Sequence, residues 1–185
     1  MGRVQAMIVG VAVALATAVP LAGCGGGNGD SGAPTPKGFS KTKTADFSVA
    51  LPSGWKVDKL DEPGGLAIEA RPDGTDINRA QLRVASSRDY KDDINAAVKV
   101  TEAEIPIRRP GAQRVVSKTI DVHGAADARR VEWTVPAGGG LEPARIVTVL
   151  ALTGDHTLVN LSVGVAQNQM GRARVDDVVD SLRIG

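Results

Sequence analysis

Residues Thr157-Leu158-Val159-Asn160-Leu161-Ser162-Val163-Gly164-Val165 alternate in character, with Val159, Leu161, Val163 and Val165 on one face. Successive side chains of an extended chain point to opposite faces, so this period of two predicts a strand with one buried side. The pattern continues upstream. Arg145 to Leu152 reads as a long apolar strand, Ala125 to Pro136 alternates through Val131, Trp133 and Val135, and Gln113 to Val122 reads as another strand. Short turn-forming segments join them at His123-Gly124, Ala137-Gly138-Gly139-Gly140 and Thr153-Gly154-Asp155-His156. Strands joined this way predict an antiparallel meander.

The period changes before the meander. Tyr90, Ile94, Val98, Thr101 and Ile105 recur at steps of three or four and share one helical face. Asp89 is the expected cap, Asp92 and Asp93 suit the positive end of the helix dipole, and Pro106 and Pro110 mark the expected stop. Earlier still, strands are expected at 47–51, from Trp55, at 66–71 and at 80–86. The turn signals Pro52-Ser53-Gly54, Pro63-Gly64-Gly65 and Pro72-Asp73-Gly74 separate them. Gln167 to Arg183 reads as a closing helix with an apolar stripe of Met170, Val175, Val178, Val179 and Leu182. Strands, helix, strands, helix imply an α+β class: an antiparallel β-sheet packed by helices, formed as a single domain by residues 38–185. Aromatic residues make up only 3% of the chain, so its core must be built mainly from Val, Ile, Leu and Ala.

The N-terminus has another character. Ala6 to Leu21 is an uncharged, mostly apolar run behind a single basic residue, Arg3, which is the layout of an export signal. Its 16 residues fall short of the roughly 20 that a membrane-spanning helix needs. It ends in Leu21-Ala22-Gly23-Cys24, and Cys24 is the chain's one cysteine. This tetrapeptide resembles the lipobox of bacterial lipoproteins, which implies a signal peptide over 1–23 and an acylated N-terminal cysteine at position 24. One acyl chain holds a protein only marginally, whereas two or three anchor it stably. Gly25 to Lys37 is rich in Gly, Ser and Pro and is expected to be a flexible tether, so that 24–37 join anchor to domain.

Several of these features together resemble the LpqN-type lipoproteins of mycobacteria and related actinobacteria. They are the lipobox, the Gly/Pro tether, the opening Phe47-Ser48-Val49-Ala50-Leu51-Pro52-Ser53-Gly54-Trp55, the central helix, the meander and the ending Ser181-Leu182-Arg183-Ile184. The resemblance implies a PsbP-like α/β/α sandwich and a cell-envelope role, alongside transporters that export lipids. It carries no catalytic signature, and the one position it transfers is Cys24.

The search for chemistry narrows the function classes. Arg3 is the sole charged residue before Cys24, so processing would leave 21 basic residues against 21 acidic ones. A neutral chain gives no electrostatic case for nucleic acid. Gly27-Asn28-Gly29-Asp30-Ser31-Gly32 fits a dinucleotide motif and part of a serine-protease motif, but it lies in the tether, with no strand, helix or base partner. His123 and His156 fall in turns 33 residues apart and read as surface residues, so no metal site and no cofactor are expected. Asp92-Asp93 and Asp176-Asp177 read as solvated helix faces. Arg108-Arg109, Arg114, Arg129-Arg130 and Arg145 form a basic scatter that could meet phosphate or an acidic partner, against which neighbouring strand arginines point apart. Asn160-Leu161-Ser162 matches a glycosylation sequon by coincidence. Trp55 and Trp133 read first as core anchors. The functional alternative is that Trp133, with Val131 and Val135, lines an apolar groove.

The expectation is therefore a non-catalytic lipoprotein on the extracytoplasmic face of the cell membrane, binding a lipid or glycolipid. The alternative is an adaptor that docks on a membrane transporter or an envelope enzyme without a ligand of its own. Changing Cys24 to Ser should abolish incorporation of a clickable fatty acid in cells and shift the chain from the detergent phase to the aqueous phase. A mature chain that begins elsewhere, or one that carries no fatty acid, contradicts the anchor.

Overall fold

In the computed structural model, residues 34–62, 64–73, 80–138 and 142–185 are described, and they belong to one compact unit, Gly32–Gly185. The expected signal peptide, Cys24 and most of the expected tether lie outside the described residues. The strands are β1 (Phe39–Lys43), β2 (Phe47–Pro52), β3 (Trp55–Glu62), β4 (Gly65–Pro72), β5 (Ala80–Ser87), β6 (Gln113–Thr119), β7 (Asp127–Val135), β8 (Ala144–Leu152), β9 (Leu158–Ala166) and β10 (Arg183–Ile184). Helix α1 (Ile94–Arg108) separates β5 from β6, while α2 (Met170–Ala173) and α3 (Val175–Asp180) follow β9. Seven strands pair antiparallel in the order β3-β4-β5-β9-β8-β7-β6, and a small second sheet has the order β1-β2-β10.

This order explains the layers. The chain builds β3-β4-β5, crosses one face of the large sheet as α1, and starts again at the far edge with β6. The meander β6-β7-β8-β9 then returns until β9 pairs with β5, Leu82 opposite Val163 and Val84 opposite Leu161. After β9 the chain passes to the other face, where α3 and the small sheet lie.

That second face holds the main core. Val147 and Val149 of β8, with Val159, Leu161 and Val163 of β9, pack against Phe47, Val49 and Leu51 of β2 and Val178, Val179 and Leu182 of the C-terminal segment. On the α1 side, Val131 and Trp133 of β7 with Ile146 and Leu150 of β8 pack against Ile94, Ala97 and Val98. Both clusters use mainly aliphatic side chains, as the scarcity of aromatics requires.

The structure corrects several boundaries. The cap of α1 is Asp93, which accepts from Ala96 N–H at 2.9 Å; Asp89 sits in a turn with φ of 58°. The helix also runs past Pro106. A proline in the last turn removes one donor there but still lets the turn close, and Arg109 N–H reaches Ile105 O at 2.8 Å. The expected helix over 167–183 is a 3-10 turn and two short helices broken at Arg174, whose φ of 45° is left-handed, and it ends in β10. Asp176 and Asp177 are not merely solvated: Asp176 binds Arg130 and Asp177 binds Arg174.

Two charged clusters tie the layers together. Arg130 and Arg145 both bind the buried carboxylate of Glu132, and Arg130 also reaches Asp176 in the first turn of α3. Elsewhere, Asp46 accepts from Ser86 Oγ and from Arg88, joining the end of β5 to the loop before β2. Burial raises the Asp46 pKa, but the Ser86 hydroxyl and the Arg88 guanidinium outweigh it and hold the carboxyl below the usual 3.8. For Asp176 the hydrogen bond from Arg130 leads, and the carboxyl is again held low. Gly124 marks a close approach at the C-terminus: its φ is 84°, and a Cβ there would lie 2.2 Å from Ile184 O.

Two outcomes follow from this packing. Trp133→Ala empties the space beneath α1 and should cost about 3–5 kcal/mol, read as a lower urea midpoint. A loss below about 1 kcal/mol would contradict the placement of Trp133 as a core anchor. Because both aspartates have depressed native pKa values, their stabilisation is complete above the usual carboxylate value. It is lost as pH falls through that value toward the native ones. Stability should therefore drop from pH 5 to pH 3, and Asp46→Asn should flatten that slope.

Candidate functional site

Helix α1 packs against β7 and β8, and so covers only part of the face it crosses. Between its outer turns and the strands beyond lies a groove of about 400 Å³, within the usual range of small-ligand sites. Its floor comes from alternate residues of three adjacent strands. Strand β9 supplies Asn160, Ser162 and Gly164, β5 supplies Gln81, Arg83 and Ala85, and β8 supplies Ala144, Ile146 and Thr148. The registers set these side by side: Arg83, Ser162 and Thr148 form one row, and Gln81, Gly164 and Ile146 the next. Same-face residues along a strand repeat every ~6.6 Å and neighbouring strands lie ~4.8 Å apart, so the floor is a regular mesh of groups.

The floor has a polar side and an apolar side. Thr148 Oγ1 donates to Ser162 Oγ at 3.3 Å. The Asn160 side chain is partly buried, and its Oδ1 has no donor among the described residues. A buried amide oxygen without a partner costs about 1–3 kcal/mol, so this residue is better satisfied when something donates to it. Ile105 from α1, Val135, Ala144 and Ile146 make the apolar side. Gly164 keeps the floor low, since a Cβ there would meet only Ile146 Cγ1, at 3.9 Å.

Arg83, Arg108 and Arg109 line the groove together with Glu104 and Glu142. Arg83 pairs with Glu69 at 2.9 Å, Arg108 lies 3.9 Å from Glu104, and Glu142 accepts from Asn168 at 2.9 Å. The lining includes no histidine or cysteine among the described residues. His123, bridged to Arg183, and His156, in a bend, are both exposed, and no group of three or more His, Cys, Asp or Glu able to hold a metal occurs among the described residues.

Of the three residues proposed from sequence to line a groove, Val135 does so. Val131 and Trp133 are buried in the layer between β7 and α1, with Trp133 only 1% exposed. Sequence reasoning passed over Asn160, Ser162 and Gly164, which occupy the opposite face of the very strand whose apolar face is plainest. The signal was the sequon match, since its Asn and Ser are same-face neighbours.

The architecture is that of the PsbP-like fold. Solved structures with similar folds include cyanobacterial PsbP from Synechocystis, with a TM-score of 0.58 and 15% identity over 90% of this chain and 99% of that one. They also include LpqN of Mycobacterium tuberculosis, a protein involved in cell envelope biogenesis, with a TM-score of 0.44 and 12% identity over 85% and 87% of the two chains. No protein-family model and no curated protein matches the chain. Among the described residues, no helix is long and apolar enough to cross a membrane.

Proposed function

We propose that this chain is an exported cell-envelope lipoprotein of the LpqN type, anchored to the membrane through acylated Cys24, whose globular unit binds an envelope lipid or glycolipid in the groove between α1 and the sheet. The observation that carries this reading is the two-sided lining of the groove, polar along β5 and β9 and apolar along Ile105, Val135, Ala144 and Ile146. An amphiphile satisfies both sides at once, whereas a purely polar solute leaves the apolar strip wet. The lipobox and tether support a working position at a bilayer, where such ligands are found. A carrier of this kind would exchange its ligand with a partner in the same membrane, and a lipid transporter fits that role.

Gly164→Leu tests the assignment without disturbing the core, because the added side chain grows from the floor into open space. The wild-type chain, gently extracted from its membrane, should carry an amphiphile detectable by native mass spectrometry, and the variant should lose it with an unchanged thermal midpoint. A wild-type chain that carries and accepts no amphiphile, or a variant that keeps its ligand, overturns the reading.

A further inference from the structure

We infer that the solvent side of α1 is a docking surface for α1 of a second copy of this chain, the two helices lying antiparallel. Ile94, Ala97 and Val98 face the sheet and are buried against it. The other side of the helix is apolar too. Ala96, Val100, Ala103 and Ile107 recur at steps of four, three and four, which is the spacing of a helix–helix seam. Val100 is 57% exposed and Ile107 79%. A helix that is apolar on two sides is suited to being covered on both, and the sheet covers one.

The charges select a second copy as the occupant. From Asp93 to Arg109 three acidic side chains balance three basic ones, so this face offers no net attraction to an anionic bilayer or to a partner of one sign. The signs are instead separated along the helix. Asp93 caps its start, and Arg108 and Arg109 close its end. Asp93 uses Oδ1 to accept from Ala96 N–H, which leaves Oδ2 for another donor. At 100° per residue, Asp93 and Arg108 stand within about 60° of each other, on one flank of the seam. A second α1 laid antiparallel, with the two-fold axis between Val100 and Ala103, brings Val100 against Ala103 of the second copy and Ala96 against Ile107. Asp93 then lies within about 3 Å, measured along the axis, of Arg108 of the second copy. The two-fold axis repeats each of these contacts, as a self-complementary interface requires. The helix dipoles also oppose. A parallel pair would set Asp93 against Asp93 and Arg108 against Arg108. The helix is about 22 Å long, and one such pair falls short of the ~1,200 Å² of a stable interface, so the association is weak and reversible.

The test is photocrosslinking of the full chain in the cells that express it. The photoreactive residue p-benzoylphenylalanine replaces Val100, or in the control Leu60, which is 38% exposed on β3. Irradiation should give a species of twice the chain's mass from position 100, about fivefold or more above the yield from position 60, with the adduct mapped by mass spectrometry to residues 94–108 of a second copy. Arg108→Asp, which sets a like charge against Asp93 of the second copy, should lower that yield about fivefold. Asp93→Asn keeps a capping side chain and should lower it about twofold. The Arg108 side chain is 73% exposed, so its replacement should leave the thermal midpoint unchanged. Adducts confined to lipid or to another protein, a yield equal to that from position 60, or a dimer indifferent to both substitutions overturns the inference.

Discussion

Strand β9 is hydrogen-bonded along both edges, to β5 on one side and β8 on the other, and its position at the middle of the large sheet constrains everything around it. It closes the seam between the first three strands and the returning meander. Strict alternation then divides its side chains. Val159, Leu161, Val163 and Val165 go to the core shared with β2 and the C-terminal segment, while Asn160, Ser162 and Gly164 form the groove floor. A shift of one residue in this pairing would exchange the two sets and place amide and hydroxyl groups in the core. The burial of the valines therefore fixes the polar floor in place.

The position of α1 decides how much of that floor stays open. Trp133 and Val131 hold the helix over β7 and β8, so the stretch over β5 and β9 lies beside the helix instead of beneath it. The opposite face is closed differently, by the small sheet and by α3, with the Arg130–Glu132–Arg145–Asp176 cluster at one end. At α3 the Arg174 guanidinium lies 4.6 Å from the centre of the Phe39 ring and donates to Lys37 O at 2.8 Å. The entry of the chain into the domain is thus fastened on the face away from the groove. The groove and the entry of the chain do not share a surface.

Much of the fold was legible because its strands bury one face. Val159 to Val165 and Phe47 to Leu51 announced themselves through alternation or apolar content, and the helical face of Ile94, Val98 and Thr101 through its spacing. The small sheet was not legible in full. Strand β1 carries Ser, Lys, Thr and Lys with little burial, and β10 has two residues, too few to show a period. Asp89 imitated a helix cap, but Tyr90 N–H is bound to His156 O, which holds that segment in the turn against β9's entry. The unbroken apolar stripe of 170–182 concealed the left-handed residue at Arg174, because periodicity reports burial and not backbone sign. The groove was hidden for a related reason: the polar face of a strand reads as a solvent face until it is known where the crossing helix lies.

The most direct measurement is a photocrosslinking map. A glucoside with a diazirine in its alkyl chain would be activated on the full chain in a membrane preparation, and the adducts located by mass spectrometry of peptides. The account predicts labelling concentrated in peptides containing Ile105, Val135, Ala144 and Ile146, suppressed by excess unlabelled glucoside. Labelling centred on the exposed outer side of α1 at Val100 and Ile107, or on the β1-β2-β10 sheet, would contradict it.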